Sequence, residues 1–146
     1  MCMEFKVGFH LIIIESRSSW HPPGHRIAQV QVVFQIPTAA VSKFPSISSH
    51  AEQIPTYLAY IEWFNPIPAM PNRSHGMYQV SRSFNRGHRW ASIIPVDTIF
   101  SSIHLFLRII PDSSPCEGWN LFTVLDNCHS FYVNPFSDRD TFLLFS

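Results

Sequence analysis

The chain has 146 residues, of which 46% are hydrophobic and only 14% charged, with 13 Phe, 12 Pro and a formal net charge of zero. That length suits one domain burying roughly two-thirds of the surface its unfolded chain exposes, so a core forms without metal or disulfide staples. The aromatic and β-branched bias excludes a disordered chain and a helical bundle, and the zero charge excludes a global field drawing it to nucleic acid or membrane while leaving it poorly defended against self-association.

Three cysteines, Cys2, Cys116 and Cys128, make an odd count without a disulfide framework, which fits a reducing, intracellular compartment. The apolar run at residues 5–14 is too short to span a bilayer and lacks the flanks of a signal peptide. It is expected to be a strand or a remnant. No membrane partner is expected.

In chain order, a polar loop around Pro22, Pro23 and Gly24 follows that run. Residues 27–36 alternate cleanly, with Ala28, Val30, Val32, Phe34 and Ile36 on one face, and predict a half-buried antiparallel strand ended by Pro37. Residues 38–56 have no sustained period and are expected to be a long connection. Residues 57–64 predict a second strand covered on both faces, in which Glu62 needs a partner or water. The prolines of residues 65–76 forbid helix and central strand alike. A third strand is expected over 77–84, a tight turn at Asn85, Arg86 and Gly87, and a fourth strand over 89–94.

Pro95 starts a corner, after which Asp97 or Thr98 is placed to cap a short helical turn. Residues 101–110 fit both periods, and the longer alternation favours strand over helix. A loop at 111–118, two apolar patches at 121–125 and 131–133, and a closing strand at 142–145 complete the chain. Together these elements predict a mainly β fold, a small antiparallel barrel or sandwich with at most one or two short helices, an SH3-like barrel being favoured.

Charge is uneven along the chain. Residues 72–111 hold Arg73, Arg82, Arg86, Arg89 and Arg108 against Asp97, a net of +4, and residues 112–146 carry a net of −4. The simplest expectation is that the two segments pair across one fold.

No stretch places metal ligands, a nucleophile or a phosphate-cradling loop at diagnostic spacing. His21 and His25 are four apart, but Pro22, Pro23 and Gly24 between them prevent a helix presenting both. Cys116, Cys128 and His129 lack ligand spacing, and Asp126, Asp138 and Asp140 read as solvated turn residues rather than a two-metal site. Asp97 completes that candidate carboxylate set on no better grounds. No catalytic residue, metal or cofactor is assigned. The best ligand candidate is the basic hairpin, where Arg82, Arg86, His88 and Arg89 lie near Tyr78, Phe84 and Trp90, a mixture suited to phosphates and stacked bases. A second candidate is an aromatic pocket of Tyr60, Trp63, Tyr78 and Trp90 for a peptide or a modified lysine. The alternative to both makes Tyr78, Phe84 and Trp90 ordinary core and the arginines its solvated edge.

The segments LAYIEWFNPIPAMPNRSHGMYQVSRS, RWASIIPVDTIFSSIHLF and VLDNCHSFYVNPFSDRDTF resemble the C-terminal region of fungal transposon proteins of the Plavaka and Kyakuja-Dileera-Zisupton type. There a strand ending in E-W-F-x-P precedes a Met-Tyr-x-Val-x-Arg strand, an I-I-P-V corner and a closing F-x-V-N-P-F-x-D-R. The strand IAQVQVVFQIP fits as well, so the resemblance covers residues 26–146 as a single β-rich transposase-tail domain, with residues 1–25 an unmatched N-terminal extension. The chain departs from the pattern at Asp140 and at residues 106–108. The resemblance implies a cut-and-paste transposase whose catalytic carboxylates lie in an upstream RNase H-like core outside this sequence. What remains is expected to be a non-enzymatic accessory domain or an inactive remnant, nuclear if it follows the family, with DNA or another protein as partner. The runner-up is a small peptide- or chromatin-binding barrel.

Overall fold

The computed structural model describes residues 11–16, 24–37, 39, 55, 57–108, 120, 123–136, 139 and 143. Ten strands occur among them: β1 Leu11–Ser16, β2 Gly24–Phe34, β3 Leu58–Trp63, β4 Tyr78–Ser81, β5 Phe84–Asn85, β6 His88–Arg89, β7 Ala91–Pro95, β8 Ile99–Ser102, β9 Leu105–Leu107 and β10 Ser130–Val133. A 3-10 turn, Val96–Thr98, and a four-residue helix α1, Val124–Asn127, are the helical elements of more than one described residue. The fold is mainly β, as the alternating patterns require.

Five strands form an antiparallel sheet in the order β7-β3-β2-β1-β8, three form a second in the order β4-β10-β9, and β5 pairs with β6 as a hairpin. No pairing joins β8 to β7, so the large sheet is open and the described strands form no closed barrel. The two sheets instead share a core. Leu11, Ile13 and Ile27 from the large sheet pack with Val80, Phe131 and Val133 from the small one, with Phe64 meeting Phe131 edge-to-face at 5.7 Å. Val124, Leu125 and Cys128 close this core beside α1. The opposite face of the large sheet buries Ile12, Ile14, Ala28, Ala59 and Ile61.

Several boundaries shift from those the sequence predicts. β1 runs to Ser16 and lies between β2 and β8, with Ile13 fully buried, so residues 11–16 of the first 25 are integral to the sheet. The single row expected along β2 is divided: the register slips between Val30 and Val32, so Val30 pairs with buried Ile61 and Val32 with exposed Tyr60. A bulge of this kind inserts one residue and moves every later side chain to the other face.

The strand expected over 77–84 breaks at Arg82 and Ser83, and the one over 89–94 breaks at Trp90, because all three residues bond sideways to Trp63 and Phe64 instead of continuing a ladder. The run at 101–110 is strand, as favoured, but in two pieces. Ile103 and His104 carry the chain from β8 in one sheet to β9 in the other, the Ile103 N–H donating to the Leu11 carbonyl at 2.9 Å and His104 accepting from the Asn134 N–H at 3.0 Å. The tight turn at Arg86 and Gly87 is present, both residues having positive φ (52° and 82°), which is the backbone a two-residue hairpin needs. Residues 5–10, most of the 38–56 connection and all of the 142–145 strand except Leu143 lie outside the described residues.

Candidate functional site

The ends of β3, β4 and β6 meet at Trp63. Its N–H donates to the Trp90 carbonyl at 2.8 Å, its carbonyl accepts the Ser83 N–H at 3.0 Å, and the Ser83 carbonyl accepts the Trp90 N–H at 2.9 Å. The Phe64–Arg82 bridge and the Asn65 N–H to Ser81 carbonyl bond, at 2.8 Å, extend the junction. Strand alternation then sends Glu62 to the face shared with the small sheet and Trp63 to the opposite face.

On the first face lies a buried polar network. The Arg82 side chain, 5% exposed, donates through Nη2 to Gln29 Oε1, and Nε and Nη2 both lie 3.4 Å from the Leu125 carbonyl. Its Nη1 stands 3.6 Å from Glu62 Oε2, too far for a hydrogen bond, and has no hydrogen-bond partner among the described residues. Its guanidinium also lies 4.7 Å from the centroid of the Phe64 ring. Arg89 takes the better geometry: Nη1 donates to Glu62 Oε2 at 2.9 Å and Nη2 to Asp126 Oδ1 at 2.7 Å. Glu62 thus has the partner its apolar strand demands, and the Arg89–Asp126 pair joins the basic and acidic segments of the chain.

The charges respond to this packing. Burial, reinforced by the Arg89 charge and opposed by Glu62 and Asp126, pulls the Arg82 guanidinium down to about 10. Burial also acts on Arg89, but the hydrogen bonds and charges of Asp126 and Glu62 outweigh it and hold this cation above its ordinary value. Two guanidinium groups share two carboxylates, and the outer one binds them more closely.

On the other face, Arg26 lies between two indoles, 4.5 Å from the Trp63 centroid and 4.7 Å from that of Trp90, with Nη2 donating to the Phe64 carbonyl at 3.0 Å. Burial lowers its pKa as well. Trp63 is held in turn by Nε1 donating to Ser92 Oγ at 2.8 Å.

Of the four basic hairpin residues, Arg82 is buried and Arg89 is ion-paired, while Arg86 and His88 stand exposed at the tip. Phe84 is 62% exposed and Trp90 38%. An aromatic core with a solvated arginine edge holds only in part: Tyr78 packs against the core and Arg86 is exposed, but Arg82 is inside and Phe84 outside. Of the four pocket aromatics, only Trp63 and Trp90 come together, and the space between them holds Arg26; Tyr60 points from the opposite face and Tyr78 belongs to the small sheet.

Arg26, Gln29 and Asp126 are the network members that sequence reasoning passes over. The signal for the first two is a polar residue inside a strand, and for Asp126 the charge asymmetry between segments. Asp126, read as a solvated turn residue, instead sits on α1 half-exposed and bound to Arg89. Cys128 packs in the core with its Sγ 3.0 Å from the Ser130 carbonyl, while Cys116, Asp138 and Asp140 lie outside the described residues. Among the described residues no three His, Cys, Asp or Glu side chains gather as a metal site, and no helix is long and apolar enough to cross a membrane.

Compared with known protein families, curated proteins and solved structures, the chain matches none.

Proposed function

We propose that this chain is a non-enzymatic accessory domain of transposase origin that contacts nucleic acid, single strands in particular, through the tip of the β5–β6 hairpin. The observation that carries the reading is the anchored display of an exposed Phe84 and an exposed Arg86 on one two-stranded ribbon. Arg89 fixes the base of that ribbon to Glu62 on β3 and to Asp126 on α1, so the tip is presented from a braced support. A cation for phosphate beside a flat apolar ring for a base is the combination used in single-strand recognition. Arg86 and His88 bear the electrostatic part and Phe84 the stacking part, whereas Arg82 and Arg89 act as struts. The origin rests on the strand, corner and closing motifs quoted above, which fall largely on β3, β4, β7 and β10.

The test is a salt-titrated binding measurement with a single-stranded oligonucleotide. Arg86→Ala should weaken binding and flatten its salt dependence by about one charge, and Phe84→Ala should cost about 1–3 kcal/mol with the salt slope unchanged. Binding by the double variant equal to that of the unaltered chain would exclude the hairpin as the contact.

A further inference from the structure

The β5–β6 hairpin carries different chemistry on its two faces. Residues directly opposite across an antiparallel pair share a face and neighbours along a strand alternate, so the register Phe84↔Arg89 and Asn85↔His88 puts Phe84 and Arg89 on one side and Asn85 and His88 on the other. The next rung, where the Trp90 N–H donates to the Ser83 carbonyl at 2.9 Å, puts Trp90 on the side of His88. The contacts agree: Arg89 reaches Glu62 and Asp126, whereas Trp90 lies against Arg26 on the face of Trp63. On the Phe84 side two guanidinium groups, Arg82 and Arg89, are offset by two carboxylates, Glu62 and Asp126. On the Trp90 side the Arg26 cation has no carboxylate partner among the described residues.

The geometry points to a second base-stacking site on Trp90, across the ribbon from Phe84, so that a single strand held at the tip rounds it and continues down the Trp90 face. This inference rests on the reading of the hairpin as a single-strand contact and extends that contact from one base to at least two. The Trp90 ring has what a stacking platform needs. It is 38% exposed, and one side of its indole lies 4.7 Å from the Arg26 guanidinium, which is held in turn by Trp63 at 4.5 Å and by Nη2 donating to the Phe64 carbonyl. The ring plane is thus fixed in advance, and little side-chain freedom is lost when a base arrives. A nucleobase on the open side extends the column of Trp63, Arg26 and Trp90 by one more flat partner, whatever the base. Charge directs the strand the same way. A backbone leaving Arg86 meets the half-exposed Asp126 carboxylate on the Phe84 side, but the exposed His88 and the uncompensated Arg26 on the Trp90 side. Arg26 is a positioning residue here, supporting the ring and keeping the face cationic. The ligand is a flexible strand long enough to round the tip, since a duplex has to be unstacked before it can offer either ring a base.

The experiment is a fluorescence-anisotropy titration of the full chain with labelled thymidine oligonucleotides from dimer to octamer. A dimer reaches one ring and an octamer rounds the tip to both, so affinity should climb with length and level off once the second ring is engaged. Trp90→Leu, which fills the place with apolar volume but no stacking face, should lower octamer affinity about tenfold and flatten the climb. Trp90→Phe, which restores a face, should return most of the loss. Far-ultraviolet circular dichroism and thermal unfolding like those of the parent establish that both variants are folded, and the length series on the unaltered chain stands without them. Octamer binding that depends on Phe84 and Arg86 but is the same in Trp90→Leu as in the parent would overturn this inference and leave the hairpin contact standing. Failure of every oligonucleotide to bind the unaltered chain would overturn both. Equal losses in folded Trp90→Leu and Trp90→Phe, or an affinity indifferent to length, would overturn stacking on this face.

Discussion

Arg82 has left water almost completely, yet the two carboxylates within its reach are bound more closely by Arg89. Taking such a charge out of water costs several kcal/mol, recovered only where its partners are well placed. Removing the charge and removing a partner should therefore differ sharply. Arg82→Met keeps the volume and leaves Glu62 bound to Arg89, so chemical denaturation should show a change within about 1 kcal/mol of the parent. Glu62→Gln leaves two guanidinium groups with one half-exposed carboxylate and should cost about 3 kcal/mol, whereas Asp126→Asn, at the exposed end, should cost about 1 kcal/mol or less. The pH dependence has a defined sign. Arg82 titrates near 10 when folded and at its ordinary, higher value when unfolded, so between the two the unfolded chain binds more protons and this residue's contribution to stability rises with pH. Below 10 both states are protonated and the contribution is flat. Arg82→Met lacks the effect, so its stability relative to the parent should fall as pH rises through that window.

The β5–β6 hairpin has only two cross-strand pairs, Phe84↔Arg89 and Asn85↔His88, too few to stand alone in water. Its geometry comes from two sources, the turn and the struts. Gly87 sits at φ 82°, and a Cβ there would meet nothing within 4 Å, so substitution is penalised by the backbone alone. Gly87→Ala should destabilise the chain by about 1 kcal/mol in denaturant unfolding and lower oligonucleotide affinity together with it, because the tip loses its position. The loop before β4 is set by similar local chemistry: the Asn72 side chain accepts from the Ser74 N–H at 2.9 Å and its carbonyl from the Gly76 N–H at 2.8 Å, which lets a proline-rich stretch turn back into a strand.

At the scale of the whole molecule, two sheets hold together through one apolar layer, and β1 serves both faces of the larger sheet. It carries Leu11 and Ile13 to the shared core and Ile12 and Ile14 to the opposite face. A chain beginning at residue 26 would lack the strand between β2 and β8 and should show no cooperative thermal unfolding. Phe64→Ala, in the full chain, offers a graded comparison: the ring is fully buried between Phe131 and the Arg82 guanidinium, and its loss should cost about 3–5 kcal/mol. A truncated chain that unfolds cooperatively would show that β1 is not part of the folding unit.

The sequence by itself determined what depends on neighbours along the chain. Alternation at residues 27–36 and 57–64 identified β2 and β3, the prolines of 65–76 identified the loop, Asn85-Arg86-Gly87 identified the hairpin turn, and Glu62 in an apolar strand announced a need for a partner or water. These are legible because backbone sterics and side-chain period act over a few residues. Only the tertiary structure decided the rest. The bulge after Val30 breaks one apolar row into two faces, and a bulge has no signature in a sequence whose alternation continues through it. Which arginine is inside was likewise undecidable locally: Arg82, Arg86 and Arg89 have the same chemistry, and the partners Gln29 and Asp126 are both far from Arg82 along the chain. Three strand ends meeting at Trp63 turned Arg82 inward, gave Arg89 to Glu62 and Asp126, and left Arg86 in water, because burial of a charge is settled by which partners the fold brings within reach.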